Sequence, residues 1–314
     1  MINKRERGPI KLSTLAIIGV ALIIAVTCFS LWMTSSISAS KVIEKITLEK
    51  LEVSSKSVAK DVFLEAENVN FALDKYKDDV RLHELLKRSI SEVNSNNQEI
   101  EELKSTLLSF FNEELELNSS LLSESLINKD GIVYLSTYGA EGNDYSKDKF
   151  FQDALSVDGV VISETRYIEE INTYANDVSM AIIEDGEFIG VITASIDSKA
   201  YEYIFDEYKK LGMEGFIVDS KGNFIYHEDS KYLGTSINDL GIDNLKSDKL
   251  LKSGSIKYAV DGEKYIAQYC TDEYTGWKIF IKGSEKSIYS VANGLKVRMY
   301  IWSLVLFVIA VNVW

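Results

Sequence analysis

The side chains best suited to catalysis or metal binding are few. The chain has two histidines and two cysteines, and none stands in a metal-ligand spacing. His227 precedes Glu228 and Asp229, a trio with the right donors for a divalent cation. Without a second His or a Cys beside it, the trio reads as a charged cluster at a strand end. Cys28 lies in an apolar run and Cys270 in the polar part, so the latter has no intrachain disulfide partner there. Asp130-Gly131, Asp185-Gly186 and Asp261-Gly262 are turn chemistry rather than general acids. There is no nucleophile elbow, no H-E-x-x-H and no glycine loop that would grip phosphate. No enzyme activity, metal or cofactor is expected.

The elements around these residues begin with Leu12–Met33, 22 residues without a charge. As a helix they extend ~33 Å, enough to cross a bilayer core. Lys4, Arg5, Arg7 and Lys11 outweigh Glu6 on the upstream side, which predicts a cytoplasmic N-terminus at residues 1–11 and an outward path from Thr34. A cleaved signal peptide is the rival, but its apolar core is usually about 7–15 residues, so an uncleaved anchor is expected. Of the 48 Asp and Glu residues only Glu6 lies outside residues 34–297, and the whole chain carries −14. Such a surface repels phosphate backbones, which argues against nucleic acid as a partner.

From Thr34 to Tyr76 the apolar positions Val42, Ile46, Leu51, Val58, Val62, Ala66, Val69 and Leu73 step mostly by three or four. They predict one long stalk helix whose stripe packs either on a partner helix or within the chain. Leu82–Ile90 and Gln98–Phe111 are further helical runs, punctuated by Ser95, Asn96 and Asn97. The period then changes. Strands are predicted at Leu122–Asn128, Ile132–Ser136, Val160–Thr165, Val178–Ile183 and Phe188–Ile196, with helices at Lys147–Leu155 and Ser198–Leu211. The scheme recurs with strands at Gly215–Asp219, Asn223–His227, Ile256–Val260, Lys264–Tyr269 and Trp277–Ile281. Each block runs hairpin, connection, then two strands joined by Asp-Gly. This duplication predicts an α+β chain with two antiparallel-sheet modules in tandem, at 118–211 and 212–283. An exit helix at 284–298 leads into the uncharged residues 299–314, ~24 Å as a helix. These are expected to be a second transmembrane helix whose continuation, with a cytoplasmic signalling module, lies beyond this sequence.

A span, a stalk, two sheet modules and a second span resemble the double Cache, PAS-like sensory region of bacterial transmembrane receptors. The resemblance rests on NKDGIVYLSTYG (128–139), YSKDKFFQDAL (145–155) and DGEFIGVITASID (185–197) in the membrane-distal module. FIVDSKGNFIYHED (216–229), DGEKYIAQYC (261–270) and TGWKIFIKG (275–283) match the proximal one. It implies a small-molecule pocket in the distal module, often for an amino acid. The family's amino-acid pattern sets an Arg two residues before an aromatic pair, here Phe150 and Phe151, yet this chain has Asp148 there. In the last strand Ser195 replaces the family's Asp, and Glu169 after Tyr167 stands in for an intermediate acid. Because a ligand carboxylate wants a bidentate Arg, an ordinary amino acid is disfavoured unless Arg166 or Lys149 supplies the cation.

The expected pocket wall is Tyr145, Asp148, Phe150, Phe151, Tyr167, Glu169, Tyr174, Asp177 and Ser195. Aromatic faces beside carboxylates suit a cationic amine or an atypical amino acid. The implied function is extracytoplasmic sensing and transmembrane signalling by a two-pass, homodimeric plasma-membrane protein. A methyl-accepting chemotaxis receptor is the first expectation. The alternatives are a histidine kinase, a diguanylate cyclase, or an anchored binding protein without output.

Overall fold

The computed structural model describes residues 12–90, 97–157 and 159–312. The charged N-terminal flank and the Ser95-Asn96 break lie outside them. The chain divides into two compact units, Met1–Lys50 with Ser284–Trp314, and Leu51–Gly283.

In the first unit, the N-terminal part of helix α1 (Leu12–Asp74) packs antiparallel against α6 (Glu285–Asn312). Tyr289 donates its hydroxyl to Glu44 at 2.8 Å, and Trp32 Nε1 donates to the Lys296 carbonyl at 3.3 Å. The Trp32 and Tyr300 rings meet edge to face. Among the described residues one helix, α1, is long and apolar enough to cross a membrane.

The second unit opens with the remainder of α1. Its stripe, Leu51, Val58, Val62, Ala66, Val69 and Leu73, is buried within the chain. The intramolecular reading of that stripe therefore holds, while Val42 and Ile46, in the other unit, are exposed. In α2 (Val80–Ile90) Leu82, Leu85 and Leu86 form the buried face, and Lys87 and Arg88 complement the dipole in the last turn. α3 (Asn97–Leu117) buries Ile100, Leu107 and Phe111.

Two five-stranded antiparallel sheets follow. The first comprises β1 (Leu121–Asn128), β2 (Val133–Ser136), β3 (Val160–Ile168), β4 (Thr173–Glu184) and β5 (Glu187–Asp197), in the order β2-β1-β5-β4-β3. The second comprises β6 (Glu214–Val218), β7 (Phe224–His227), β8 (Ser253–Val260), β9 (Glu263–Thr271) and β10 (Lys278–Ser284), in the order β7-β6-β10-β9-β8. The two orders are the same once five is subtracted from each label, so the duplication of sequence pattern is a duplication of topology.

Small devices repeat as well. Asn128 Oδ1 accepts from the amides of Asp130 and Ile132, and Asp219 Oδ1 accepts from those of Lys221 and Asn223. The Asp-Gly turns that join β4 to β5 and β8 to β9 have positive φ at both residues (52° and 82° at 185–186, 51° and 82° at 261–262), which a two-residue type I′ hairpin requires.

Helix α4 (Lys149–Ser156) lies over β3 and β4, while α2 and α3 pack against β1 on the other face. α5 (Glu202–Lys209) connects the sheets, with Phe205 stacked on Tyr226 at 4.7 Å. The core of the second sheet is aromatic: the Phe280 ring stacks on Phe216 at 4.4 Å and on Tyr269 at 5.1 Å. His227 belongs to the edge of that core, against Tyr232 at 4.4 Å, rather than to a surface cluster as the sequence implies. Burial, reinforced by nearby Lys282, pushes its pKa down to about 4. Its Nδ1 accepts from the Asp229 amide.

Candidate functional site

Alternate residues of a strand share a face, and directly paired residues on neighbouring strands share it too. In the first sheet Asp177 pairs with Ser195, and Ser195 with Ser123. One row along, Ser179 pairs with Thr193, Thr193 with Ser125, and Ser125 with Ser136. The next row, Ile127 and Val191, is apolar and packs in one cluster with Phe150, Phe151 and Ala154 of α4. One face of this sheet thus grades from apolar beneath α4 to hydroxyl to charged.

Arg166 on β3 pairs with Ala175 and so shares the face of Asp177. Its guanidinium donates to Asp177 through Nε and through Nη2, the latter at 3.3 Å to Oδ1. Ser195 Oγ donates to the same Oδ1 at 2.6 Å. Asp177 is fully buried, and the Arg166 side chain is 22% exposed. Burial opposes the arginine's charge, but the carboxylate beside it more than compensates and holds the pKa well above the ordinary arginine value. The Tyr145 and Phe150 rings stand 5.3 and 5.0 Å from the guanidinium carbon, in cation–π range. The Tyr138 and Tyr145 hydroxyls are 3.4 Å apart.

Asp148 is the residue preceding α4 and makes no capping hydrogen bond with its side chain. Burial raises its pKa; Arg166 partly offsets this, and Asp177 and Asp144 add to it. A cation-seeking pocket is expected from the sequence because Asp148 stands where an arginine would serve. In the folded chain Arg166, from β3, already occupies the same neighbourhood.

Of the nine expected wall residues, Tyr145, Asp148, Phe150, Asp177 and Ser195 gather about Arg166. Phe151 turns into the apolar cluster, its ring 6.3 Å from Phe188. Tyr167 and Tyr174 face each other across β3 and β4, one residue out of phase with Arg166 and therefore on the opposite face. Tyr174 also fills the space that Gly234 leaves open, where a Cβ would fall 2.4 Å from its ring. Glu169 is exposed in a short 3-10 turn and does not join the group. Lys149 pairs with Asp153 on α4.

Sequence reasoning missed Tyr138, Ser123, Ser125 and Glu124. The two serines were signalled by alternation in LLSESLIN, set against VITASID on the paired strand. Glu124 points to the helical face, where Tyr76 donates to it at 2.9 Å in full burial. Burial there pushes its pKa up to about 7.

A family model described as Cache domain, dCache_1, matches residues 40–292. The chain belongs to the Cache-domain family. It is 26% identical over 164 residues to the methyl-accepting chemotaxis protein McpB of Bacillus subtilis (strain 168). That match covers 47% of this chain and 23% of McpB, so the Cache chain spans under a quarter of that relative's length. Among solved structures it resembles the ligand-binding domain of the Pseudomonas aeruginosa PAO1 amino acid chemoreceptor PctB in complex with L-Gln. There the TM-score is 0.57 at 17% identity, covering 77% of this chain and 93% of that one. The sensor domain of the V. cholerae histidine kinase DctB is similar with a TM-score of 0.59 at 11% identity, covering 77% and 98%. These likenesses show that the chain has the fold of those two domains.

Proposed function

We propose that this chain is the extracytoplasmic sensory region of a two-pass plasma-membrane receptor and that the first sheet binds a small zwitterion of amino-acid type. The observation that carries the reading is the Arg166–Asp177 pair, enclosed by the Tyr145 and Phe150 rings and set on a polar sheet face. A carboxylate would take the outer edge of the guanidinium and the Tyr138 hydroxyl, and an ammonium would turn toward Asp177 and Asp148. The second sheet supports this by contrast, since its corresponding strands carry the stacked Phe216, Phe280 and Tyr269. PctB, with L-Gln bound, is a precedent for such a ligand on this fold. A purely cationic amine, the first expectation from the sequence, now has Arg166 as a repelling neighbour.

The antiparallel pairing of α1 with α6 supports two membrane passes, since it sets the two apolar termini side by side. The parent protein in this reading is a methyl-accepting chemotaxis receptor, with a histidine kinase as the alternative. Ligand binding at the sheet would bias two packings of the helices that leave the domain, for which a coupling of about 1–3 kcal/mol suffices. Homodimerisation belongs to the same reading. Its supporting feature is the outward side of α1, where Val53 and Phe71 are 70% and 82% exposed.

A chimera tests the proposal. Residues 1–314 are joined in register to the cytoplasmic part of a chemoreceptor, and kinase output is read as free amino acids are added. A dose-dependent change is expected. A chimera that signals constitutively and ignores every amino acid would reject the proposal.

A further inference from the structure

Two serine hydroxyls on the Asp177 face of the first sheet, Ser123 Oγ and Ser125 Oγ, are buried without a well-formed hydrogen bond among the described residues, Ser125 lying near the Tyr138 hydroxyl. Their backbones are held in the ladder between β1, β5 and β2, so neither residue can turn its face to solvent. Ser123 adjoins Ser195 in the row of Asp177, and Ser125 adjoins Thr193 in the next row toward α4. Thr193 and Ser179 satisfy each other at 2.9 Å, and the Ser136 hydroxyl accepts from the Tyr138 amide at 3.1 Å. The unmet capacity of the hydroxyl rows is thus concentrated at the two β1 serines. A buried hydroxyl left unpaired is costly, and native proteins satisfy such groups with a partner, a water or a ligand.

We infer that Ser123 and Ser125 are specificity residues that receive a hydrogen-bonding tail, so that this receptor selects a zwitterion with an amide or hydroxyl side chain over an aliphatic one. The inference rests on the zwitterion reading above, which places the ligand's charged groups at Arg166 and Asp177. Strand spacing then fixes where the tail goes. Successive residues on one face of a strand are about 6–7 Å apart and neighbouring strands about 4.8 Å, and β1 is separated from β4 by β5, so a tail reaches the two serines from a ligand seated over Ser195, which itself bonds Asp177. Only beyond that row does the face become apolar, at Ile127 and Val191. An aliphatic tail of the same length would stop over the serines and leave both hydroxyls unpaired. The polar tail instead meets hydroxyls that can donate and accept, which suits amide and hydroxyl groups equally.

Two shape-matched pairs test this: L-asparagine against L-leucine, and L-threonine against L-valine. Each is titrated by calorimetry into the full chain in lipid nanodiscs. The polar member of at least one pair should bind about tenfold or more tighter than its aliphatic counterpart, the worth of one to two hydrogen bonds. Ser123→Ala with Ser125→Ala should erase that ratio while retaining the wild-type thermal midpoint to within a few degrees, and Ser125→Val should invert it. Equal or tighter binding of the aliphatic members would overturn the inference and leave the zwitterion reading standing, as would a preference unchanged in the serine variants. No binding of any of the four, nor of other free amino acids, would overturn both.

Discussion

At the scale of single residues, the account turns on a buried ion pair. Asp177 is fully enclosed and its cation comes from one side chain. Arg166→Ala strands that carboxylate, and a loss of about 3–5 kcal/mol in thermal or urea denaturation is expected. Replacing both partners with apolar residues of similar volume (Arg166→Met with Asp177→Leu) should cost much less, because no charge is left behind. Glu124 offers a second test with a definite sign. Its carboxyl titrates near 4.5 when unfolded and near 7 when folded. The penalty for burying the charge is absent below pH 4.5, grows between the two values and is complete above pH 7. By linkage it amounts to roughly 3 kcal/mol. Glu124→Gln should therefore be more stable than wild type at pH 8 and near wild type at pH 4. A stability difference that is the same at both pH values would show that the Glu124 carboxyl is not the titrating group.

At the scale of elements, the sequence pattern reported existence and type more faithfully than partnership. The period of three and four from Leu51 to Leu73 identifies a helix, but a stripe looks the same whether it faces another chain or its own sheet. Only the fold assigns it, to the inside. Val62→Asp should consequently unfold the domain by more than about 3 kcal/mol in a thermal melt, with no separate effect on dimer content. Phe71→Asp, on the exposed side of the same helix, should lower dimer content in crosslinking and leave the melting midpoint unchanged. The hairpins were legible because Asp-Gly has few conformational alternatives to a tight turn. The candidate site was legible in part. Tyr145, Asp148, Phe150, Asp177 and Ser195 gather about Arg166, whereas Tyr167 and Tyr174 take the opposite face and Glu169 lies in a turn, because proximity in sequence says nothing about which face a strand residue takes. A bulge between Ile162 and Thr165 sets that phase on β3, and no composition signal marks it. Close approach was equally invisible. A Cβ at Gly190 would lie 2.5 Å from the Ile127 carbonyl oxygen, so Gly190→Ala should cost about 1–3 kcal/mol in the same melts.

At the scale of the whole molecule, the repeated topology has diverged in filling. One sheet closes its face with stacked rings, and the other keeps an arginine, a carboxylate and rows of hydroxyls on the matching side. That asymmetry is consistent with the proposed reading, in which the first sheet and not the second answers to a ligand. The most direct measurement is calorimetric titration of the full chain in nanodiscs with the common free L-amino acids, repeated on Arg166→Lys. The variant keeps the positive charge but loses the planar two-point grip. At least one amino acid should bind the wild type, and Arg166→Lys should weaken it about 10–100-fold at unchanged fold. Binding that the lysine variant reproduces in full, or a wild type that takes up no zwitterion, would contradict the account.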